Sequence, residues 1–416
     1  MIDLSSLQSD IAIYTPALSP GCALFPFKDP AKLARPLPGG LTLQDFDFLR
    51  AEGNNLFKIS HALYSAGHSL EHEYDPCMVM SRDRSQSIVI GDSGGFQVIS
   101  GVLPPYTPVR VHRILRYLEK MADVAMTADV PTKALLDSRK SGYHTFQQCL
   151  DQSIANLRLF TTYRENKDIK FLNVLQGRNE READTWYEAV RAYPFEGWAF
   201  AGNTRLNFSL TCKRLLQMAD RGELHSNSWL HFLAASFLEC SVLLTALKRS
   251  LRSAGFTNLE VSFDSASALI AAAMYKRVSV GTKYGSQQVS MQRHRLPINR
   301  NSVVLDTRFP FESPIGQRLS LRDFYDPKKP DDTCFDDIGC SMLTNHNIYR
   351  EQMSFIEVNR MVDIGQRLHG SIPAEVQMAV EAIHNIFNSD RPGHYMKVGR
   401  KVLSHFVSLK DDDQQA

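Results

Sequence analysis

IVIGDSGGFQ (88–97) begins as a short, β-branched apolar run, stops at an acid and turns through two glycines. A run of this length reads as a buried strand, and an acid just past its end costs energy unless it is paired or working. Five further runs share the form: VAMTAD (124–129), KFLNVLQ (170–176), WAFAG (198–202), WLHFLAAS (229–236) and LEVSFD (258–264). Between them stand helical patterns near 109–121, 142–165, 180–192, 208–219, 238–254 and 266–276. Strand–helix alternation implies parallel βα units. With further candidates at 55–59 and 76–80, the count reaches eight strands and predicts an α/β fold of the (β/α)8 or TIM-barrel class. A doubly wound sheet satisfies the same alternation. The run endings Asp92, Asp129, Gln176, Gly202 and Asp264 favour the barrel, because there they converge on one C-terminal mouth, where barrel active sites sit.

Working outward, 416 residues suit one large barrel with an appendage. Residues 1–50 are rich in Pro and Gly and read as irregular, and 51–300 as the barrel core. Residues 301–346 break the rhythm and read as an insertion, while 347–416 read as C-terminal helices that complete the barrel and a short solvated tail. Apolar residues make up 43%, enough for a sizeable core. Lys and Arg number 47 against 45 Asp and Glu, so any nucleic-acid surface must be a local patch rather than the whole molecule. The seven cysteines are odd in number and mostly far apart, which argues against a disulfide framework and for a reducing, cytoplasmic setting. MIDLSSLQSDIAIY at the start has acids and no apolar core, so no signal peptide is expected. No run approaches the roughly 18 apolar residues that span a membrane.

Several constellations carry chemistry. In DSGGFQ, Ser93, Gly94 and Gly95 let the backbone turn sharply against a flat ligand, and Phe96 can stack on a base. In FDSAS (263–267), small residues leave room for a sugar to approach Asp264. Either acid alone is equally well an N-cap. Together at one mouth they match the paired carboxylates that break glycosidic bonds, one attacking the anomeric carbon and one managing protons. Asp129 and Gln176 offer a carboxylate and an amide to a purine edge, and Gly202 admits backbone close to the ligand. Cys334, Cys340 and His346, spaced C-x5-C-x5-H, suit zinc, with Asp336 as a fourth ligand; two buried thiols and a surface histidine read equally well. Lys276, Arg277, Lys283, Arg293, His294, Arg295 and Arg300 form a basic stretch that can neutralise phosphates, or a solvated face.

DSGGFQ (92–97), TADVP (127–131), VLQG (174–177), AFAG (199–202) and FDSAS (263–267) occur in the order found in guanine transglycosylases, and HNIYREQ (346–352) resembles the family's helix start after its zinc loop. The resemblance covers roughly 50–350. It implies exchange of guanine in a nucleic acid for a 7-deazaguanine, with Asp264 as nucleophile and Asp92 as general acid and base. Phe96 would stack on the flipped guanine, while Asp129, Gln176 and backbone near Gly202 and Leu233 would bond its edge. It also implies a structural zinc and no organic cofactor. SASALIAAAMYKR after the nucleophile is similar to the branch that inserts preQ0, and the chain lacks room for long RNA-binding domains. It therefore resembles most the DpdA-type DNA-guanine transglycosylases, which implies DNA as partner, other proteins of a DNA-modification system, and a homodimer. A tRNA-guanine transglycosylase and a nucleoside-hydrolysing glycosidase stay open as alternatives.

Overall fold

A computed structural model gives the fold and describes residues 1–297, 303–331, 333–364 and 370–408. Arg300 and the acidic tail at 411–413 lie outside the described residues. Eight parallel strands close into a barrel: β1 (Ile13–Leu18), β2 (His61–Ser65), β3 (Ile88–Asp92), β4 (Val124–Met126), β5 (Lys170–Leu175), β6 (Gly197–Phe200), β7 (Trp229–Phe232) and β8 (Glu260–Ser265). Neighbours in space are successive in the chain, and β8 returns to pair with β1.

The six runs of the sequence become β3 to β8, but the other two strands are not where the pattern suggested. Of 55–59 only Phe57–Lys58 is extended, and it pairs with Ile2–Asp3 in a separate two-stranded sheet. Residues 76–80 hold no strand and bury Cys77, Met78 and Val79 around a turn. Their places are taken by β2 and by β1, which lies inside the segment read as irregular. Pro16 disguises β1, because proline has no ladder donor and usually marks a break. Here Ile13 to Pro16 register with β8, and Ala17 and Leu18 register with β2. The chain thus changes partner at the residue that lacks an N–H.

Alternation along the strands sorts side chains into two layers. Ile13, Leu63, Ile90, Val124, Leu172, Val174, Ala199 and Trp229 belong to one buried cluster, the packed interior of the barrel. A larger cluster lies between the strands and α1 (Pro108–Met121), α2 (Phe146–Tyr163), α3 (Glu180–Val190), α4 (Phe208–Asp220), α5 (Leu238–Ser253) and α6 (Ser267–Ala273). Caps fix the starts of four of these helices: the side chains of Thr107, Thr145, Asn179 and Asn207 each accept a first-turn N–H.

After α6 come an antiparallel hairpin, β9 (Arg277–Lys283) with β10 (Ser290–Arg295), and the helices α7 (Asp337–Ile364), α8 (Ala374–Asn388) and α9 (Pro392–Leu403). Helix α7 starts earlier than the sequence suggested, because Asp336 Oδ1 accepts the Gly339 N–H at 2.8 Å and opens the helix inside the expected insertion. Its buried Glu351 accepts from Tyr14, Ser267, Ser279 and Arg293 at 3.1, 2.8, 3.4 and 3.1 Å. That carboxylate ties the first strand, α6 and the hairpin to α7. Helix α9 packs on α8 and α4. Just beyond it, Phe406 meets Phe208 edge-on at 6.1 Å, and Ser404 Oγ donates to Asn207 Oδ1 at 3.4 Å. Among the described residues no helix is long and apolar enough to cross a membrane.

Candidate active site

Asp92 ends β3 and Asp264 is the last residue but one of β8, so the parallel barrel carries both to its C-terminal end. Both line one cavity of about 1070 Å³, together with Gly95, Phe96, Asp129, Gln176, Gly202 and Leu233. That volume holds a nucleoside with room to spare. Burial lifts the Asp92 carboxyl above its ordinary range; the Ser65 hydroxyl and Gly94 N–H oppose the shift, and the charge of Asp264 adds to it. Half-buried Asp92 is thereby biased towards holding a proton.

Asp264 is gripped at one oxygen. Its Oδ1 accepts the Ala234 N–H at 2.8 Å and faces His231 Nε2 at 3.3 Å. A carboxylate only accepts, so Nε2 carries a hydrogen; in the neutral ring Nδ1 then accepts from the Ser262 hydroxyl at 2.8 Å. Ser262 Oγ in turn accepts the Trp229 indole N–H at 2.7 Å. Trp229, Ser262 and His231 therefore form a directional chain ending at Asp264 Oδ1, and among the described residues Oδ2 has no hydrogen-bond partner. Ala234 has φ of 51°, a left-handed conformation that costs a residue with a side chain about 1–3 kcal/mol. The strain turns its N–H onto Asp264. Its carbonyl is held by Arg205, whose guanidinium also donates to the Gly202 carbonyl at 3.0 Å. The sequence reading missed His231, Ser262, Ala234 and Arg205.

Across the cavity floor, Gln176 Nε2 donates to Asp129 Oδ2 at 2.8 Å, and both side chains are buried. Burial pushes Asp129 up to about 7; the Gln176 amide opposes this and the charge of Asp92 adds to it. Gly202 has φ of +68°, and a Cβ there would stand 2.8 Å from Gln176 Oε1. This glycine makes room for Gln176 as well as opening the wall.

The DSGGFQ turn splits in two. Phe96 is 60% exposed on the cavity, an apolar ring left available for stacking. Ser93 and Gly94 do not line the cavity: Ser93 Oγ donates to the Thr127 carbonyl at 3.3 Å, and a Cβ on Gly94 would stand 2.5 Å from Gly67 Cα. Their work is to press two loops together, backbone on backbone. Gln97, anchored beside them, donates to His68 Nε2 at 2.7 Å on the cavity wall.

The expected zinc residues are engaged elsewhere. His346 Nε2 donates to the Ser279 carbonyl at 2.9 Å and Nδ1 accepts from Ser313 at 2.7 Å, which uses both ring nitrogens. Burial drives this imidazole down to about 3. Asp336 pairs with Arg35 at 2.8 and 3.1 Å. Cys334 Sγ lies 3.2 Å from the Asp331 carbonyl. Cys340 and His346 sit on one helix six residues apart, which turns them to different faces. Among the described residues no three His, Cys, Asp or Glu side chains converge as a metal set.

Among the described residues, none of the basic side chains singled out after Asp264 lines the cavity. Lys276 lies over the Phe335 ring and Arg277 over Tyr275. Arg293 is paired with buried Glu351. Lys283, His294 and Arg295 are exposed on the hairpin, His294 being stacked on Phe311. Comparison with protein-family models and with curated proteins finds no match for the chain.

Proposed function

We propose that this barrel is a base-exchanging pentosyltransferase, a guanine transglycosylase that replaces guanine in DNA by preQ0 or a related 7-deazaguanine. The observation that carries the reading is that Asp92 and Asp264, far apart in sequence, share one nucleoside-sized cavity with a stacking ring, Phe96, and a carboxylate–amide pair, Asp129 and Gln176. Five motifs in family order agree with it.

Chemically, the target nucleotide leaves the stack and enters the cavity, since a base inside a duplex is out of reach. Phe96 covers one face of the guanine while Asp129 and Gln176 meet its edge. Asp264 Oδ2 attacks C1′, the C1′–N9 bond breaks, and its electron pair leaves with guanine, which takes a proton from Asp92. A glycosyl ester of Asp264 remains. The incoming 7-deazaguanine fills the pocket, gives its N9 proton to the Asp92 carboxylate, and attacks C1′; the ester C–O bond breaks and both acids return to their starting states. Two inversions give net retention. Burial raises the Asp92 carboxyl above its ordinary range, which suits a group that first gives and later takes a proton. The zinc that the resemblance implies has no shared donor set at Cys334, Cys340, His346 and Asp336 as folded, and no step passes through a metal.

The test is incorporation of labelled guanine or preQ0 into a DNA oligonucleotide and into tRNA side by side. Wild type should label DNA and form an adduct that survives denaturation, and Asp264→Asn should do neither. Labelling of tRNA alone would move the assignment to RNA, and base release without incorporation would make the enzyme a glycosidase.

A further inference from the structure

The cations at the cavity mouth lie on a different element from the basic stretch that the sequence advertises. Lys397, Arg400 and Lys401 are all exposed and stand at i, i+3 and i+4 on α9, hence on one face, with Ser404 one turn further on. Arg400 and Ser404 line the cavity that holds Asp92 and Asp264. From 391 to 408 there is no acidic residue, and among the described residues none of the three cations has an ion pair. Like charges at this spacing repel one another unless an anion sits between them. The stripe from 397 to 404 is roughly 10 Å long, about three nucleotide steps of a strand. Phe406 on Phe208 and Ser404 on Asn207 seat this end of α9 beside the loop after β6, so the stripe runs into the mouth and not across the back of the barrel.

We propose that this face of α9 is the seat of the DNA strand's phosphates on either side of the nucleotide that enters the cavity. The inference rests on the nucleic-acid reading above. Lys397, Arg400 and Lys401 would each contact a phosphate, and Ser404, bonded to Asn207, marks the end of the stripe nearest the cavity.

A fluorescein-labelled single-stranded DNA oligonucleotide, titrated by anisotropy over a range of salt concentrations, tests it. Against wild type, the triple variant Lys397→Ala, Arg400→Ala, Lys401→Ala should bind at least tenfold more weakly. Its salt slope should be shallower by about 2, as loss of three phosphate contacts on a single strand requires. An unchanged melting temperature certifies the fold, because all three side chains are exposed; if the triple variant is unstable, Lys397→Ala with Lys401→Ala is read instead, with a slope change of roughly 1.4. An unaltered salt slope overturns the proposal, as does tighter wild-type binding to RNA of the same sequence. Base exchange by wild type is measured on the same DNA: exchange with an unaltered slope removes only this surface, whereas a lost slope without exchange removes only the transglycosylase reading.

Discussion

His231 Nε2 stands 3.3 Å from Asp264 Oδ1, on a ring whose other nitrogen is oriented by Ser262 and, through it, by Trp229. The arrangement fixes which carboxylate oxygen is restrained and, in the proposed transglycosylase mechanism, which one would attack C1′. His231→Phe removes a hydrogen bond to a charged group, about 1.5–3 kcal/mol, and should lower kcat about 10- to 100-fold with little change in KM for the base. His231→Gln, which returns an N–H near the same position, should recover most of the loss. Equal damage from both variants would reduce the histidine to packing.

Asp129 gives the pocket a pH dependence of definite sign. Guanine's N1–H and amino group donate, so they need the carboxylate ionised, while burial holds its proton up to about 7. Affinity for free guanine should therefore rise with pH and level off above about 7, and binding near neutrality should release a proton. Folding carries the opposite consequence. The native carboxyl binds its proton more tightly than the unfolded one, so its contribution to stability diminishes as pH climbs from about 4 towards 7. Calorimetry in buffers of different ionisation enthalpy detects the proton, and Asp129→Asn should abolish both pH effects.

The exposed Phe96 ring contributes little to folding and, on this reading, much to holding the base. Phe96→Ala should leave the melting temperature within a degree or two and weaken binding of the substrate strand by about 1–3 kcal/mol, roughly 5- to 150-fold in KM. A normal KM would assign the base face to another side chain.

Chelation should change nothing. With both His346 ring nitrogens bonded and Asp336 paired to Arg35, dialysis against EDTA should leave the melting temperature unaltered. A structural zinc contributes about 10 kcal/mol or more, so its removal would be unmistakable. A large fall would return a metal to this segment.

The barrel was legible because six of its strands are short, mostly apolar runs with helices between them, and because Asp92 and Asp264 stand where such runs end. The strand carrying Pro16 was not, since a proline at a change of pairing partner leaves the same trace as one in a loop. His231 was hidden for another reason: a lone histidine inside WLHFLAAS reads as core. Parity held the missing signal. Trp229 and His231 share a face of β7, Ser262 and Asp264 share a face of β8, and the register sets His231 beside Ser262. Cys340 and His346 were read by a spacing that suits a loop; they stand on one helix, and only the Asp336 cap reveals that a helix is there.

The seam of the barrel has a consequence for biosynthesis. Asp264 registers with Thr15, whose hydroxyl donates to the Phe263 carbonyl at 3.0 Å, and Ala17, Leu18 and Ser19 form part of the cavity wall. A chain emerging from the ribosome must keep its earliest strand unpaired on that side until the strand bearing Asp264 has been translated. No shorter nascent chain owns a complete pocket, so a stalled or prematurely released product cannot assemble the cavity that brings Asp92 and Asp264 together.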